Sequence, residues 1–238
     1  MFDFAGQVAL ITGVTGNLGG AVARAFLRSG ASLVLPERRR GRVAAALGDE
    51  WDPARALGVE AVDATDPRAV ERAVQAGLER FGRIDILVNT VGGYRGGSSV
   101  AETPIETWDF LMDLNARSML VPCRAVIPSM LADGAGKIVS VSARAGLSGP
   151  AKLAMYSASK SAVIRLTEAL SAEVKDHGIN VNCVLPGTID TPENRESMPK
   201  ADPARWVTAE AIADVILFLA SDASRAIHGT AIPVYGRS

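Results

Sequence analysis

Apolar residues follow two alternating patterns along this chain. Short, nearly continuous runs occur at Val8–Thr12, Ala31–Leu35, Val59–Val62, Ile84–Val88, Lys137–Val141, Asn180–Leu185 and Ala231–Val234. Between them lie stretches in which apolar residues return every three or four positions: Leu18–Ser29, Pro67–Phe81, Glu106–Met130, Tyr156–Lys175 and Ala209–Ala220. The runs have the length of strands buried on both faces, and the longer stretches have the spacing of amphipathic helices. Strands alternating with helices predict an α/β fold: a doubly wound parallel sheet of about seven strands, with helices on both faces. No linker, composition break or low-complexity tract interrupts the pattern, so residues 1–238 read as one domain. The longest stretch without an evident element is Gly187–Val207. A loop that long in a compact domain is expected to carry function.

Composition removes several function classes. Apolar residues make up 48% of the chain, ample for a buried core, and the formal net charge of −1 offers no field to attract nucleic acid or an anionic membrane. Lys and Arg are dispersed, apart from Arg38-Arg39-Arg40. Cys123 and Cys183 are the only cysteines, too few for a disulfide framework or a thiolate metal cluster. His177 and His228 lie far apart and in no ligand pattern, so no metal site is expected. The start, Met1-Phe2-Asp3-Phe4, carries neither a basic flank nor a long apolar run, and no run approaches membrane-spanning length. The expectation is a soluble cytoplasmic protein acting on a small molecule.

Three stretches carry chemistry. Thr12-Gly13-Val14-Thr15-Gly16-Asn17-Leu18-Gly19 joins the first strand to the first helix. A glycine-rich turn in that place lets backbone N–H groups approach a pyrophosphate at the positive helix end, which reads as a dinucleotide site. The second strand ends in Leu35-Pro36-Glu37-Arg38-Arg39-Arg40. Glu37 can accept hydrogen bonds from the adenosine ribose and repel a 2′-phosphate; the arginines can pair with that phosphate. Both NAD and NADP are therefore open, and the place of Glu37 at the strand end favours NAD. Third, Tyr156-Ser157-Ala158-Ser159-Lys160 opens a long helical stretch. Residues four apart share a helix face, so the Lys160 cation is expected to lower the Tyr156 pKa and make the phenol a proton donor or acceptor near neutral pH.

With Asn115 added, these motifs resemble the short-chain dehydrogenase/reductase family from Val8 to Gly236. The resemblance implies a Rossmann-like fold and an NAD(P)-dependent oxidoreductase, with Tyr156, Lys160 and Asn115 as its catalytic residues. Tyr156 would move the proton, Lys160 would also bond the nicotinamide ribose, and Asn115 would hold a relay water. The nucleotide turn (Gly13, Thr15, Gly16, Asn17, Leu18, Gly19) matches the family's Thr-Gly-x-x-x-Gly-x-Gly, except that Asn17 stands where the middle glycine is expected and Gly16 is shifted by one. Glu37 and Arg38 would face the adenosine ribose, and Asp63 the adenine. Asn89-Thr90-Val91-Gly92 corresponds to Asn-Asn-Ala-Gly after the fourth strand, with Thr90 replacing the second Asn. Pro186-Gly187-Thr188-Ile189-Asp190-Thr191 corresponds to the segment that holds the nicotinamide carboxamide, so Pro186, Gly187, Ile189 and Thr191 join the cofactor set. Family resemblance also implies a homo-oligomer, a tetramer or dimer, packed through Glu106–Met130 and Tyr156–Lys175.

One position departs. The family's usual catalytic serine lies thirteen residues before the tyrosine, and here that residue is Ala143. Ser142 is adjacent, but successive strand residues point to opposite faces. Losing such a donor costs on the order of 10²–10³ in rate for a carbonyl substrate. A narrower resemblance offers an explanation. Gly92–Gly97, Ala143–Gly149 and Asp190–Asp202 are similar to segments of quinonoid dihydropteridine reductases, which also carry alanine at the serine position. Their electrophilic substrates need no serine to polarise a carbonyl. On that resemblance Tyr94 would stack on a flat ring and Arg144 would reach a polar edge. The alternatives are an ordinary carbonyl/alcohol oxidoreductase, ketoacyl-reductase-like, in which Ser142 substitutes, and a protein that only binds the nucleotide. The last has no need of Tyr156, Lys160 and Asn115 together.

Overall fold

The computed structural model describes residues 2–237. Seven strands, β1 (Val8–Thr12), β2 (Ser32–Glu37), β3 (Ala56–Glu60), β4 (Ile86–Asn89), β5 (Gly136–Val141), β6 (Ile179–Pro186) and β7 (Ala231–Val234), form one sheet in the order β3-β2-β1-β4-β5-β6-β7. Every neighbouring pair is parallel, with Leu10 opposite both Val34 and Leu87 at the centre. The helices are α1 (Asn17–Arg28), α2 (Val43–Leu47), α3 (Pro67–Phe81), α4 (Ile105–Leu111), α5 (Ser118–Asp133), α6 (Ala154–Val174), α7 (Pro192–Ser197) and α8 (Ala209–Ala220).

Side-chain alternation in the strands builds two cores. Ala9, Ile11, Leu33, Leu35 and Val139 face α1 and α8, where they meet Phe26, Ile212 and Ile216. Leu10, Val34, Leu87, Ile138 and Val181 face the opposite layer, where they meet Val70 and Val74 of α3, Val126 and Met130 of α5, and Val163 and Leu170 of α6. A sheet buried on both faces explains the continuous apolar runs. Strand order reverses between β1 and β4, which opens a crevice beyond the carboxyl ends of the strands, the expected ligand position in such sheets.

Four local departures from the sequence pattern have physical causes. β3 begins at Ala56, three residues earlier than the apolar run at Val59–Val62, because this edge strand is only half buried and carries a weak apolar signal. α2 is a single turn that buries Val43 and Leu47, too short to show a period. The stretch expected as one helix from Glu106 to Met130 is two helices joined by a π-turn, Met112–Arg117. Finally, 187–207 is ordered: Thr191 caps α7 by accepting from Asn194 N at 3.2 Å, and Asp202 caps a 3₁₀ turn at Pro203–Arg205. These elements are short and polar, so hydrophobic periodicity cannot reveal them.

Candidate active site

The turn between β1 and α1 is shaped by close backbone approach. Gly13 has φ +76°, and a Cβ on Gly19 would lie 2.1 Å from the Gly13 carbonyl oxygen and 2.7 Å from the Thr90 hydroxyl. Gly16 is less constrained: a Cβ there would sit 3.4 Å from the same carbonyl. Thr90, the replacement for the second asparagine, donates to Thr12 O at 2.6 Å. It ties the ends of β1 and β4 together.

Below this turn lies a cavity of about 330 Å³ lined by Gly13, Thr15, Glu37, Arg38, Asp63 and Val91, among others. Glu37, 5% exposed, accepts from the Thr15 hydroxyl at 2.9 Å and from Arg39 N–H at 2.9 Å. Asp63 accepts from Thr65 N–H and its hydroxyl; these bonds, with Arg38 nearby, hold its carboxyl below the usual range. A cradle that only glycine can line, a helix start facing it, and two carboxylates at the far wall fit a dinucleotide's pyrophosphate and adenosine.

Not every expected contact is in this cavity. Leu18 points into the core. Asn89 is buried under the sheet end, its amide donating to Ser140 Oγ at 3.2 Å and to Cys123 Sγ at 3.4 Å, with Oδ1 unpaired. Its side chain therefore braces β4 against β5 and α5, and only the backbone beyond it reaches the cavity. Phe110, Asp113, Leu114 and Ser118 line the cavity but were not anticipated. They lie on α4, the π-turn and the start of α5, a segment whose sequence spacing reads as one regular helix.

Tyr156 and Lys160 stand on the first turns of α6, beside the carboxyl end of β5. Lys160 is buried and its ammonium donates to Val141 O at 3.1 Å; burial lowers its pKa to about 8. Tyr156 is half-buried, and desolvation, with the neighbouring Tyr94 phenol second, raises its pKa to about 12. That is opposite to the fall expected from Lys160. Sharing a helix face brings the two side chains into one region, but the ammonium is turned to the β5 carbonyl and the phenol loses more by leaving water than it gains from the cation.

Asn115 is buried within the π-turn and clamps two segments. Its Oδ1 accepts from Gly93 N–H at 2.9 Å, while Nδ2 donates to Gly93 O at 3.1 Å and to Ser159 Oγ at 3.0 Å. Its side-chain amide is thus engaged by protein groups. Gly92 lies where a Cβ would be 2.9 Å from Asn115 Oδ1 and 3.0 Å from Lys160 Nζ, so it permits this approach. Ser159, unnoticed in the sequence, links Asn115 to α6 by also donating to Tyr156 O at 2.8 Å.

Ala143 is buried at the serine position, and Ser142 spends its hydroxyl on Lys160 O at 2.7 Å. Tyr94 stands over the site, 64% exposed, its ring meeting that of Tyr156 edge-on at 5.1 Å between centroids. Arg144 is exposed with its guanidinium 5.2 Å from the Tyr235 ring. On the far side Pro186 ends β6, Gly187 N–H donates to Val234 O at 3.1 Å, and Ile189 bridges to Val207. The 187–207 segment reaches back to the nucleotide turn: Asn17 Nδ2 donates to Glu193 Oε2 at 3.0 Å. Asn17, the residue in the glycine's place, makes that bond. No group of His, Cys, Asp and Glu able to hold a metal occurs among the described residues, and no helix there is long and apolar enough to cross a membrane.

Residues 7–202 match the family model described as short chain dehydrogenase. The chain is 32% identical over 244 residues to a 2-(R)-hydroxypropyl-CoM dehydrogenase of Xanthobacter autotrophicus, covering 97% of each. It is 33% identical over 251 residues to a monensin polyketide synthase putative ketoacyl reductase of Streptomyces virginiae, covering 97% of this chain and 96% of that one. Among solved structures it is similar to a short-chain dehydrogenase/reductase of the glucose/ribitol dehydrogenase type from Brucella melitensis, with a TM-score of 0.90 and 31% identity over 99% of this chain and 97% of that chain. The chain belongs to the short-chain dehydrogenase family and is an oxidoreductase.

Proposed function

We propose, from this family membership, that the protein transfers hydride between a nicotinamide cofactor and a flat, electron-poor small molecule, with Tyr156 moving the accompanying proton. The nicotinamide, when bound, supplies or accepts the hydride. The chain's own residues bind, orient and protonate. Tyr156, held neutral by burial, is a proton donor at physiological pH. Lys160 carries positive charge beside it below pH of about 8, where a developing negative charge on the phenol oxygen would be stabilised. Asn115 is a positioning residue that fixes Gly93 and Ser159 around the pair.

The observation that carries the electron-poor substrate is the missing hydroxyl. Ala143 offers none and the Ser142 hydroxyl is engaged by Lys160 O, so oxygen-side polarisation rests on Tyr156 alone. The exposed Tyr94 ring beside Tyr156 supports stacking on a planar substrate, as in a dihydropteridine-reductase-like reaction. The second reading is carbonyl/alcohol chemistry, favoured by the ketoacyl reductase and hydroxypropyl-CoM dehydrogenase among the relatives. The preferred cofactor in our reading is NAD. Glu37 and Asp63 both face the adenosine cavity, Arg39 lies 3.8 Å from the Glu37 carboxylate, and Arg38 acts on Asp63. Arg39 is thus drawn to a carboxylate, and the two carboxylates would repel a 2′-phosphate. Exposed Ile105 and Trp108 on α4 support a homo-oligomer built through α4, α5 and α6, which light scattering of the purified protein tests.

An anaerobic assay with quinonoid dihydropterin and a carbonyl panel, each with NADH and NADPH, tests the reading. Rapid NADH oxidation by the pterin supports it, and turnover confined to carbonyls moves the assignment to the second. Tyr156→Phe should abolish turnover with either class while NADH binding stays nearly intact. Unchanged turnover in that variant would refute the role of the phenol.

A further inference from the structure

A second cavity, of about 210 Å³, opens beside the site and is not used by any role assigned so far. Its walls are the segment after β4 (Arg95, Gly96, Ser98), the start of α4 (Thr103, Pro104, Thr107) and the start of α6 (Lys152 to Met155). Ala154 and Met155 directly precede Tyr156, and the Tyr94 hydroxyl lies 3.0 Å from where a Gly96 Cβ would stand, so this cavity adjoins the two phenols. Of its lining residues two are cationic, Arg95 and Lys152, and none is acidic.

Further features of the cavity agree with a negatively charged occupant. Thr107 is 9% exposed and lines the cavity, and its hydroxyl makes no hydrogen bond among the described residues, so a donor is available there. Lys152 adopts φ +65°, a left-handed conformation that disfavours a residue with a Cβ, where glycine would be at ease. Such strain persists where the surroundings impose it, and here Gly97 N–H holds the Lys152 carbonyl at 2.9 Å, fixing the two cationic loops against each other. The start of α6 has no side-chain cap at Leu153, and Leu153 to Met155 line the cavity, so the uncapped first turn borders it.

We propose that this cavity is an anion subsite, in which Arg95, Lys152 and Thr107 seat the oxyanion tail of the substrate, a carboxylate or a phosphate, while its reacting end lies at Tyr156. The inference rests on Tyr156 as the proton donor for its placement in the reaction. The subsite serves either substrate class, because it holds the tail and not the reacting centre.

The test uses the full chain labelled with methyl-¹³C methionine, titrated with butyrate, propyl phosphate and uncharged butyramide. The expected result is that the Met155 methyl signal shifts with at least one anion and not with butyramide; whichever anion binds more tightly identifies the tail. Lys152→Gly relieves the left-handed strain and is expected to melt no lower than the wild type, while weakening anion binding by about tenfold or more. Arg95→Met is expected to do the same to binding. Equal shifts with butyramide, no shift with either anion, or anion binding unchanged in both variants would overturn the subsite. Turnover of Tyr156→Phe separates the two readings: unchanged turnover there would refute the role of the phenol and leave the anion result standing.

Discussion

Replacing Gly19 by alanine is the sharpest perturbation of the nucleotide turn. The new Cβ would sit 2.1 Å from the Gly13 carbonyl oxygen and 2.7 Å from Thr90 Oγ1, against a backbone that cannot rotate away. Overpacking of this kind costs about 3 kcal/mol at the upper end. Gly19 lies inside α1, so alanine returns about 1 kcal/mol of helix propensity. The net loss of about 2 kcal/mol corresponds to a fall in Tm of about 4–8 °C for a chain of this size. Gly16→Ala is the control. Its Cβ would meet the same oxygen at 3.4 Å, an ordinary contact, and Gly16 has φ −86°, open to any residue. Thermal melts of the three proteins, followed by NADH fluorescence titration, should show Gly19→Ala destabilised and weakened in cofactor binding by more than about tenfold, with Gly16→Ala close to the wild type. A Gly19→Ala protein melting within about 1 °C of the wild type, or a Gly16→Ala protein equally damaged, would refute the argument that steric closure makes the cradle.

Further expectations follow from the site. Ser142→Ala removes a buried bond to Lys160 O and should cost about 1 kcal/mol of stability while leaving turnover nearly unchanged; a large rate loss would restore Ser142 as the substitute donor. Asn115→Ala leaves Gly93 N–H and C=O unpaired and should cost roughly 2–4 kcal/mol in urea unfolding, lowering kcat more than it raises KM. Lys160, its pKa lowered to about 8, loses its proton in the folded state while the unfolded chain still holds one, so stability should rise with pH from about 8 towards the unfolded value of 10.5. The slope is on the order of 1.4 kcal/mol per pH unit. Lys160→Met should flatten that rise in urea titrations at several pH values, and an unaltered slope would count against the buried ammonium. Tyr156, raised to about 12, acts in the opposite sense above pH 10.

The centre of the sheet was legible because its strands are buried on both faces, as at Val8–Thr12; the limits of that strand, of the edge strand Ala231–Val234 and of the helices Pro67–Phe81 and Ala209–Ala220 are the same in sequence pattern and structure. The turn glycines and Tyr156-x-x-x-Lys160 were legible because their chemistry depends on local spacing. Directions of side chains were not. Nothing in the sequence tells that Asn89 turns under the sheet, that Lys160 reaches for Val141 O, or that burial outweighs the lysine at Tyr156. Each depends on what the rest of the chain packs around the residue. Asn17 looked like a lapse in a glycine motif, and its partner Glu193 lies too far along the chain for any spacing rule to find.

The π-turn at Met112–Arg117 has a consequence for how this chain can change. Such a turn holds one residue more than the α-helix would, and removing that residue lets α4 and α5 join as one regular helix. Each residue in an α-helix advances the facing direction by about 100°, so a single deletion before Asn115 would swing its amide off Gly93 and Ser159. The shortened chain would gain regular helical hydrogen bonds and lose its clamp. Insertions and deletions here therefore decide between a sturdier scaffold and a working one, and a length change of one residue in this helical segment marks which of the two a related chain has become.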